Sequence, residues 1–246
     1  MCYFFSFVTD PINHPAEYYY LDWQYRKANL EEDDADSHSH ICSHFKLDED
    51  RCNKYEFNPL TKEFTVDQIN SERDDSEAAE KWANRLDFKT VVEPLIVKPI
   101  VNPFELPKVE KPTDEQIGWF KEWASVWNLV WDSVWASVGD AVGASVWTSV
   151  GALVWTSVGA LVRASVRDAV RYAVFDSVSA SFTDSVWAYA SSFFAIDFKH
   201  DFSSAVKLWE SGLVPSFDGT MWRLHSGKKA DVVYEWIPEK EREDSE

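Results

Sequence analysis

The sequence predicts an α+β head domain, a central tetrapeptide-repeat β-solenoid and a small C-terminal β-hairpin unit. These regions span residues 1–111, 112–195 and 196–237, and an acidic tail follows at 238–246. Three observations support this division. Strand, helix and turn signals alternate in the first region, a four-residue pattern fills most of the second, and turn signals separate short apolar runs in the third.

The head domain begins with two predicted strands and a short helix. "CYFFSFV" has the apolar content of a buried strand, and "AEYYYLDWQYRK" at 16–27 indicates a second strand rich in aromatic residues. "DSHSHICSHF" at 36–45 indicates a short helix, because Asp36 or Ser37 is a suitable N-cap.

A hairpin and a second helix complete the head. The hairpin joins strands Tyr55–Phe57 and Phe64–Ile69 through the turn "NPLTK". "DDSEAAEKWANRLDF" predicts a helix whose apolar face holds Ala78, Trp82 and Leu86. Five prolines then favour an extended edge segment and a stiff linker: Pro94, Pro99, Pro103, Pro107 and Pro112.

The second region opens as a helix and continues as a repeat of four residues. Thr113 is a predicted N-cap, and Gln116 completes a capping box. The tetrad [A/D/T]-[S/L/A]-V-[W/G/R] then runs from Ala124 to Trp187 in sixteen units, with Phe182 replacing the usual valine once.

A period of four favours a β-solenoid over one long helix. A helix turns about 100° per residue, so a valine stripe would drift by about 40° per tetrad. Supercoiling absorbs periods near 3.5 and 3.67 but not a period of about 4. In a strand, places one and three face one way and places two and four the other, so identical tetrads can stack as sides of a coil. Several short packed helices are the alternative.

The third place of the tetrad is predicted to face inward and the fourth outward. A packed interior does not accept tryptophan, glycine and arginine at one place. Because tryptophan and arginine are enriched in interface hot spots, the outward row is the predicted partner-binding surface. It holds Trp127, Trp131, Trp135, Trp147, Trp155, Arg163, Arg167 and Arg171. The other interpretation is that tryptophan shields neighbouring coils and arginine stays solvated.

The C-terminal unit is predicted as a helix followed by strands. "FSSAVKLWESGL" indicates a helix that Ser203 or Ser204 caps and Gly212 ends. In "VPSFDGTMWRLHSGKKADVVYEW", the turns "DG" and "SGKK" separate apolar strands.

A membrane span is a further interpretation of the repeat. Residues 141–162 carry no charge, contain three glycines spaced in multiples of four and precede an arginine cluster. Against this interpretation, tetrads with aspartate continue on both sides. The start of the chain lacks signal-peptide features, and Cys2, Cys42 and Cys52 do not make a disulfide framework. We therefore expect a cytoplasmic, intracellular location, with membrane association as the alternative.

A histidine and cysteine cluster is the candidate metal site. Its predicted ligands are His38, His40, Cys42 and His44, and zinc is the candidate ion. On a strand all four would share one face. On a helix His40 and His44 would lie one turn apart, with Cys52 returning nearby. The spacing matches no standard zinc finger, and an exposed polar loop is the alternative.

The charge and the motifs exclude some classes of function. The chain has 42 acidic and 24 basic residues and a net charge of −18, which disfavours binding to a nucleic-acid backbone. Such a surface keeps a protein in solution or imitates nucleic acid. The sequence contains no glycine-rich phosphate loop, nucleophile elbow or HExxH motif, so an enzyme is not predicted.

The repeat, together with "LWESGLVPSFDGTMWRLHSGKKADVVYEW" and "NKYEFNPLTKEFTVDQIN", resembles uncharacterised phage and metagenomic proteins that carry variable numbers of xSVx tetrads. The resemblance covers most of the chain and implies a phage-related protein without naming a function. Because short identical units would stack as sides of a coil, the tetrads are also similar to pentapeptide-repeat solenoids, some of which imitate DNA and inhibit DNA enzymes. Here the period is four, and five aspartates nearly balance three arginines in the repeat.

These observations together predict a non-enzymatic interaction or structural protein that binds a protein partner through the outward row. Homo-oligomers are also expected, because solenoid edges can stack on copies of themselves. One alternative is an acidic inhibitor of a host enzyme. Another is a membrane-active protein that works through 141–162.

Overall fold

The computed structural model places the chain's described residues in two compact units, each with a three-stranded antiparallel sheet. One unit lies within Met1–Pro99, and the other within Ile100–Val138 and Val150–Glu246. The structure describes residues 5–29, 37–130, 132–134, 136–138, 150, 154 and 175–238. Over these ranges, no helix has both the length and the apolar character that crossing a bilayer requires.

The first unit is built on a sheet of strand order β1-β2-β3. The strands are β1 (Phe5–Thr9), β2 (Asn53–Asn58) and β3 (Glu63–Gln68). The β2–β3 hairpin lies where the sequence predicts it, with Phe57 opposite Phe64. Strand β2 lies in the middle and is buried along its whole length.

Helices cover both faces of this sheet. On the aromatic face, Trp82 of α3 (Ser76–Ala83) has its ring centroid 4.8 Å from that of Phe7. The short helix α4 (Phe88–Val91) covers the same face. The opposite face is covered by α2 (His38–Phe45), whose N-cap Ser37 accepts a hydrogen bond from the backbone of the first turn, as predicted.

Two local predictions in this unit are wrong. The second strand predicted at 16–27 is reduced to a single bridge between Tyr19 and Val8, and helix α1 (Trp23–Ala28) follows. The helix forms because Asp22 caps it through the N–H of Tyr25.

The buried face of α3 also differs from the prediction. It centres on Ala79 and Ala83, one residue on from Ala78 and Trp82. The small side chains of Ala79 and Ala83 let the helix lie close to the sheet. The large Trp82 ring packs beside them, against Phe7.

Three helices of eight or more residues lie in the described part of the second unit. Helix α5 (Asp114–Val126) begins with the predicted capping box, since the backbone and side chains of Thr113 and Gln116 form both hydrogen bonds. Helices α6 (Phe175–Ser191) and α7 (Ser203–Glu210) follow. As predicted, α7 ends at Gly212, whose φ of 77° suits glycine. The predicted cap bond from Ser203 or Ser204 is not formed.

The second sheet has the order β4-β5-β6 and the two turns that the sequence predicts. Its strands are β4 (Val214–Phe217), β5 (Trp222–Ser226) and β6 (Asp231–Trp236).

The proline-rich segment beyond Ile100 packs within this second unit. Val101 donates its N–H to Tyr189 Oη at 2.9 Å and accepts from Trp209 Nε1 at 2.8 Å. Its contacts therefore hold it in place as part of the unit.

The predicted β-solenoid is wrong, because the described tetrads are helical and the described residues contain no solenoid or closed sheet. Residues 132–134 and 136–138 and the tetrads of α6 have helical backbone. In α6 the second and third places are both buried, as Ser181 with Phe182 and Ser185 with Val186. Two adjacent buried places per turn make a buried stripe about 100° wide. A stripe of this width still faces the core over a few tetrads, although it rotates by about 40° per tetrad around the helix.

In the helical tetrads that the structure describes, the third place faces inward, as predicted. It is buried at Val130, Val134, Val138, Val150, Val154, Phe182 and Val186, and half-buried at Val126. The fourth place is half-buried where its side chain is described, at Trp127, Thr183 and Trp187. The remaining tetrads, and most of the 141–162 stretch, lie outside the described residues.

Candidate functional site

Trp127 is the one member of the predicted partner-binding row whose position is described. It is half-buried, and its ring centroid lies 5.6 Å from that of Trp222 and 5.9 Å from that of Phe217. This residue therefore packs against the second sheet. The others lie outside the described residues: Trp131, Trp135, Trp147, Trp155, Arg163, Arg167 and Arg171.

Helix α2 separates the four predicted metal ligands. His38 and Cys42 point toward the sheet, and His38 Nε2 lies 3.0 Å from the carbonyl oxygen of Tyr55. His40 and His44 lie on the other side, both against Tyr25. No group of three or more histidine, cysteine, aspartate or glutamate residues within the described ranges is arranged to hold a metal ion.

A serine and histidine pair in the second sheet has the geometry of a nucleophile and its base. Ser216 Oγ lies 2.7 Å from His225 Nε2, and His225 Nδ1 lies 2.9 Å from the carbonyl oxygen of Ala230. Because a carbonyl oxygen only accepts, Nδ1 carries the proton, and Ser216 donates to Nε2.

The environment of this pair makes it structural. Ser216 and His225 are 2% and 1% exposed and both lie inside paired strands of the sheet, so a substrate as large as an ester or a peptide does not reach them in the folded state. Burial, with a smaller contribution from the positive charge of Arg223, lowers the pKa of His225. The pair therefore links β4 to β5 with a neutral imidazole. Sequence reasoning missed it because the two residues are nine positions apart in no known motif.

Asp75 organises a polar network at the edge of the first unit's aromatic core. Its Oδ1 accepts from Tyr55 Oη at 2.6 Å, from Asn53 Nδ2 at 2.8 Å and from Thr9 Oγ1 at 3.1 Å. Burial and the hydrogen bond to Asp75 raise the pKa of Tyr55. Asp75 stands at the N-cap of α3 but makes no capping bond, so its carboxylate ties the helix start to the sheet.

The open edge of β3 is the candidate functional site. Within the described chain β3 pairs with β2 alone, whereas β1 is bridged on its outer side by Tyr19 through two 2.9 Å hydrogen bonds. An edge strand presents unpaired backbone N–H and C=O groups, which are a template for another strand.

Both faces of β3 offer side chains that a paired strand would meet. On the aromatic face, Phe64 stacks on Tyr55 with ring centroids 5.4 Å apart, and the neighbouring Val66 is 43% exposed. The core thus continues as an apolar surface to the edge. On the other face lie the exposed side chains of Glu63 and Asp67, of which Asp67 Oδ2 also lies 3.4 Å from His38 Nδ1.

The edge of β6 in the second sheet does not combine an exposed apolar side chain with a carboxylate that is free of ion pairs. Its two acidic residues are neutralised by cations, since Asp231 pairs with Lys108 and Glu235 with Arg223, both at 3.0 Å. Val232 is 43% exposed, which makes this strand a matched control for β3.

Comparison with protein-family models, curated proteins and solved structures finds no match to this chain.

Proposed function

We propose that this protein is a non-enzymatic interaction protein that binds an extended segment of a partner protein along the open edge of β3. The observation that carries the proposal is that the outer edge of β3 has no partner strand within the described chain, with Val66 exposed beside the buried aromatic core. A bound segment would extend the first sheet by one strand.

This mode of binding divides affinity and specificity between the backbone and the side chains. Hydrogen bonds from the segment's main chain to β3 supply affinity for any extended sequence. Alternate side chains of the segment fall on opposite faces of the sheet and supply specificity. One set would cover Phe64 and Val66, and the other would meet Glu63 and Asp67.

The chemistry of these two faces defines the partner. An apolar residue suits the Val66 side, and a lysine or arginine suits the carboxylate side. Glu63 makes no ion pair with any other described residue, whereas Asp67 Oδ2 lies 3.4 Å from His38 Nδ1, so Glu63 supplies the available charge on this face. The net charge of −18 also draws basic segments toward the protein. The preferred segment therefore alternates apolar and basic residues.

An intracellular location is part of the same proposal. It is supported by the free thiols of Cys42 and Cys52, which a reducing compartment maintains. The outward row of the repeat remains a prediction of a second contact surface.

The test is a titration with a short synthetic peptide that alternates lysine and valine, followed by backbone NMR of the full-length protein. We expect the largest shifts at 63–68 and in the adjacent β2. The same peptide with N-methyl groups on every second residue loses its main-chain donors on one edge and should bind much more weakly.

Matched variants locate the site. Val66→Lys should weaken binding, whereas Val232→Lys, at equal exposure on β6, should leave it unchanged. Equal loss in both variants, equal binding of the N-methylated peptide, or shifts that centre on 231–236 would contradict the proposal. A peptide that alternates glutamate and valine should bind less well, and equal binding would refute the role of the carboxylates.

A further inference from the structure

Two cysteines of the first unit share one buried cluster. Cys42 lies on α2, and Cys52 stands immediately before β2, ten residues further on. They are 1% and 0% exposed, both thiols are free, and they pack together with Val8, Leu21 and Ile41. Cys52 thus lies beside Cys42 on the sheet-facing side of α2, and not beside His40 and His44.

The two thiols lie close enough for each to shift the pKa of the other. Interaction with the Cys52 thiol lowers the pKa of Cys42, because an S–H donor stabilises a neighbouring thiolate. Interaction with Cys42, together with burial, raises the pKa of Cys52. These directions favour Cys42 as the thiol that loses its proton first.

We infer that Cys42 and Cys52 form an oxidation site that closes into an intramolecular disulfide when a small peroxide reaches it. Both thiols already lie in one buried cluster of the folded protein, which brings them together before any oxidant arrives. This inference is independent of the proposed function.

Access to the pair runs through the segment that connects the two cysteines. Helix α2 ends at Lys46 in a left-handed conformation with φ of 57°, and most of residues 43–51 is exposed. Glu49 holds this segment against the sheet, since its Oε1 lies 2.6 Å from Lys54 Nζ and 2.7 Å from Ser39 Oγ. Local opening of such a surface segment admits hydrogen peroxide but not a bulky thiol reagent.

The reaction balances with hydrogen peroxide as the oxidant. The Cys42 thiolate attacks one peroxide oxygen, the O–O bond breaks, and sulfenic acid forms at Cys42 with loss of hydroxide. The sulfur of Cys52 then attacks the Cys42 sulfur, an S–S bond forms, and the sulfenic oxygen leaves as water. Two thiols are oxidised by two electrons in total, and one peroxide is reduced to two waters.

The disulfide would join α2 to the start of β2 across a short surface loop. Closing such a loop restricts the unfolded chain, and this should raise the melting temperature of the first unit by roughly 10 °C.

The test treats the folded full-length protein with hydrogen peroxide, blocks remaining thiols with iodoacetamide and maps the peptides by mass spectrometry. We expect a cross-linked peptide pair containing Cys42 and Cys52, lighter by two hydrogens, together with the rise in melting temperature. Cys42→Ala and Cys52→Ala should lose both effects. Cys2→Ala should keep both and is the matched control.

Three results would overturn the inference. They are a disulfide from Cys42 or Cys52 to Cys2, sulfinic acid at Cys42 without a cross-link, and unmodified thiols under conditions that oxidise the urea-unfolded protein. Near-UV circular dichroism checks the fold of each variant. The wild-type peptide map decides the question even where a variant does not fold.

Discussion

Replacing Asp184 with asparagine should stabilise the second unit at neutral pH. Asp184 lies in the interior of α6, within the tetrad "DSVW", and burial raises the pKa of its carboxyl group to about 6 from the ordinary 3.8. The ionised form is therefore disfavoured in the folded state, and at neutral pH the folded protein retains an ionised carboxylate that is poorly solvated.

The size of the effect follows from this pKa difference. About 2 pKa units correspond to about 3 kcal/mol. Because Asp184 is only half-buried, solvent screening reduces this to about 1 to 2 kcal/mol. The folded pKa is the higher one, so the contribution of Asp184 to stability is fully present below pH 3.8 and is lost as the pH rises through 6. The gain from Asp184→Asn should thus be full at pH 7.5 and vanish near pH 4.

Urea unfolding of both proteins across this pH range measures the effect. Asp132 begins an identical "DSVW" tetrad but is exposed, so Asp132→Asn is the matched control and should change stability little. An equal gain in the two variants, or a loss of stability in Asp184→Asn at pH 7.5, would refute the assignment of Asp184 to a half-buried, poorly solvated helical position.

Three further changes test the packing and the polar networks by urea unfolding. Phe182→Ala should destabilise by about 3 to 5 kcal/mol because it empties a buried tetrad place, whereas Leu129→Ala, at 41% exposure, should cost less than about 1 kcal/mol. His225 has a lowered pKa, so stability should fall by up to about 1.4 kcal/mol per pH unit as the pH drops below 6.5, and His225→Gln should remove this dependence. Tyr55→Phe should cost about 1 to 3 kcal/mol because Asp75 loses its shortest hydrogen bond.

Local signals predicted most of the elements that flank the repeat. The Thr113 capping box, the Ser37 cap and the "NPLTK" turn each depend on a few adjacent residues, and each is present in the structure. The strand predicted at 16–27 is wrong because aromatic composition favours a strand, whereas the Asp22 cap starts a helix at Trp23.

The repeat was mispredicted for a geometric reason. The drift of about 40° per tetrad excludes a long helix with a one-residue stripe. It does not exclude short helices that bury two neighbouring places per tetrad, as α6 does at Ser181 and Phe182. The serine at the second place of the tetrad indicates such a helix. Its small side chain can be buried while its hydroxyl donates a hydrogen bond to the helix backbone. Ser185 Oγ does so, donating to the carbonyl of Ser181 at 3.0 Å.

The open edge of β3 could not be predicted from the sequence. The pattern of β3 predicts a strand, but its place at the edge depends on which strands pair across the sheet, and those contacts are distant in sequence. The Cys42 and Cys52 pair was within reach, because a helix followed by a tight return brings residues ten positions apart together.

The most direct test of the account is to measure intermolecular nuclear Overhauser effects between the lysine–valine peptide and the full-length protein. The account predicts backbone contacts from the peptide to alternate residues of β3, together with side-chain contacts to Val66. Contacts that fall on β6, or a saturated complex without contacts to the β3 backbone, would contradict it.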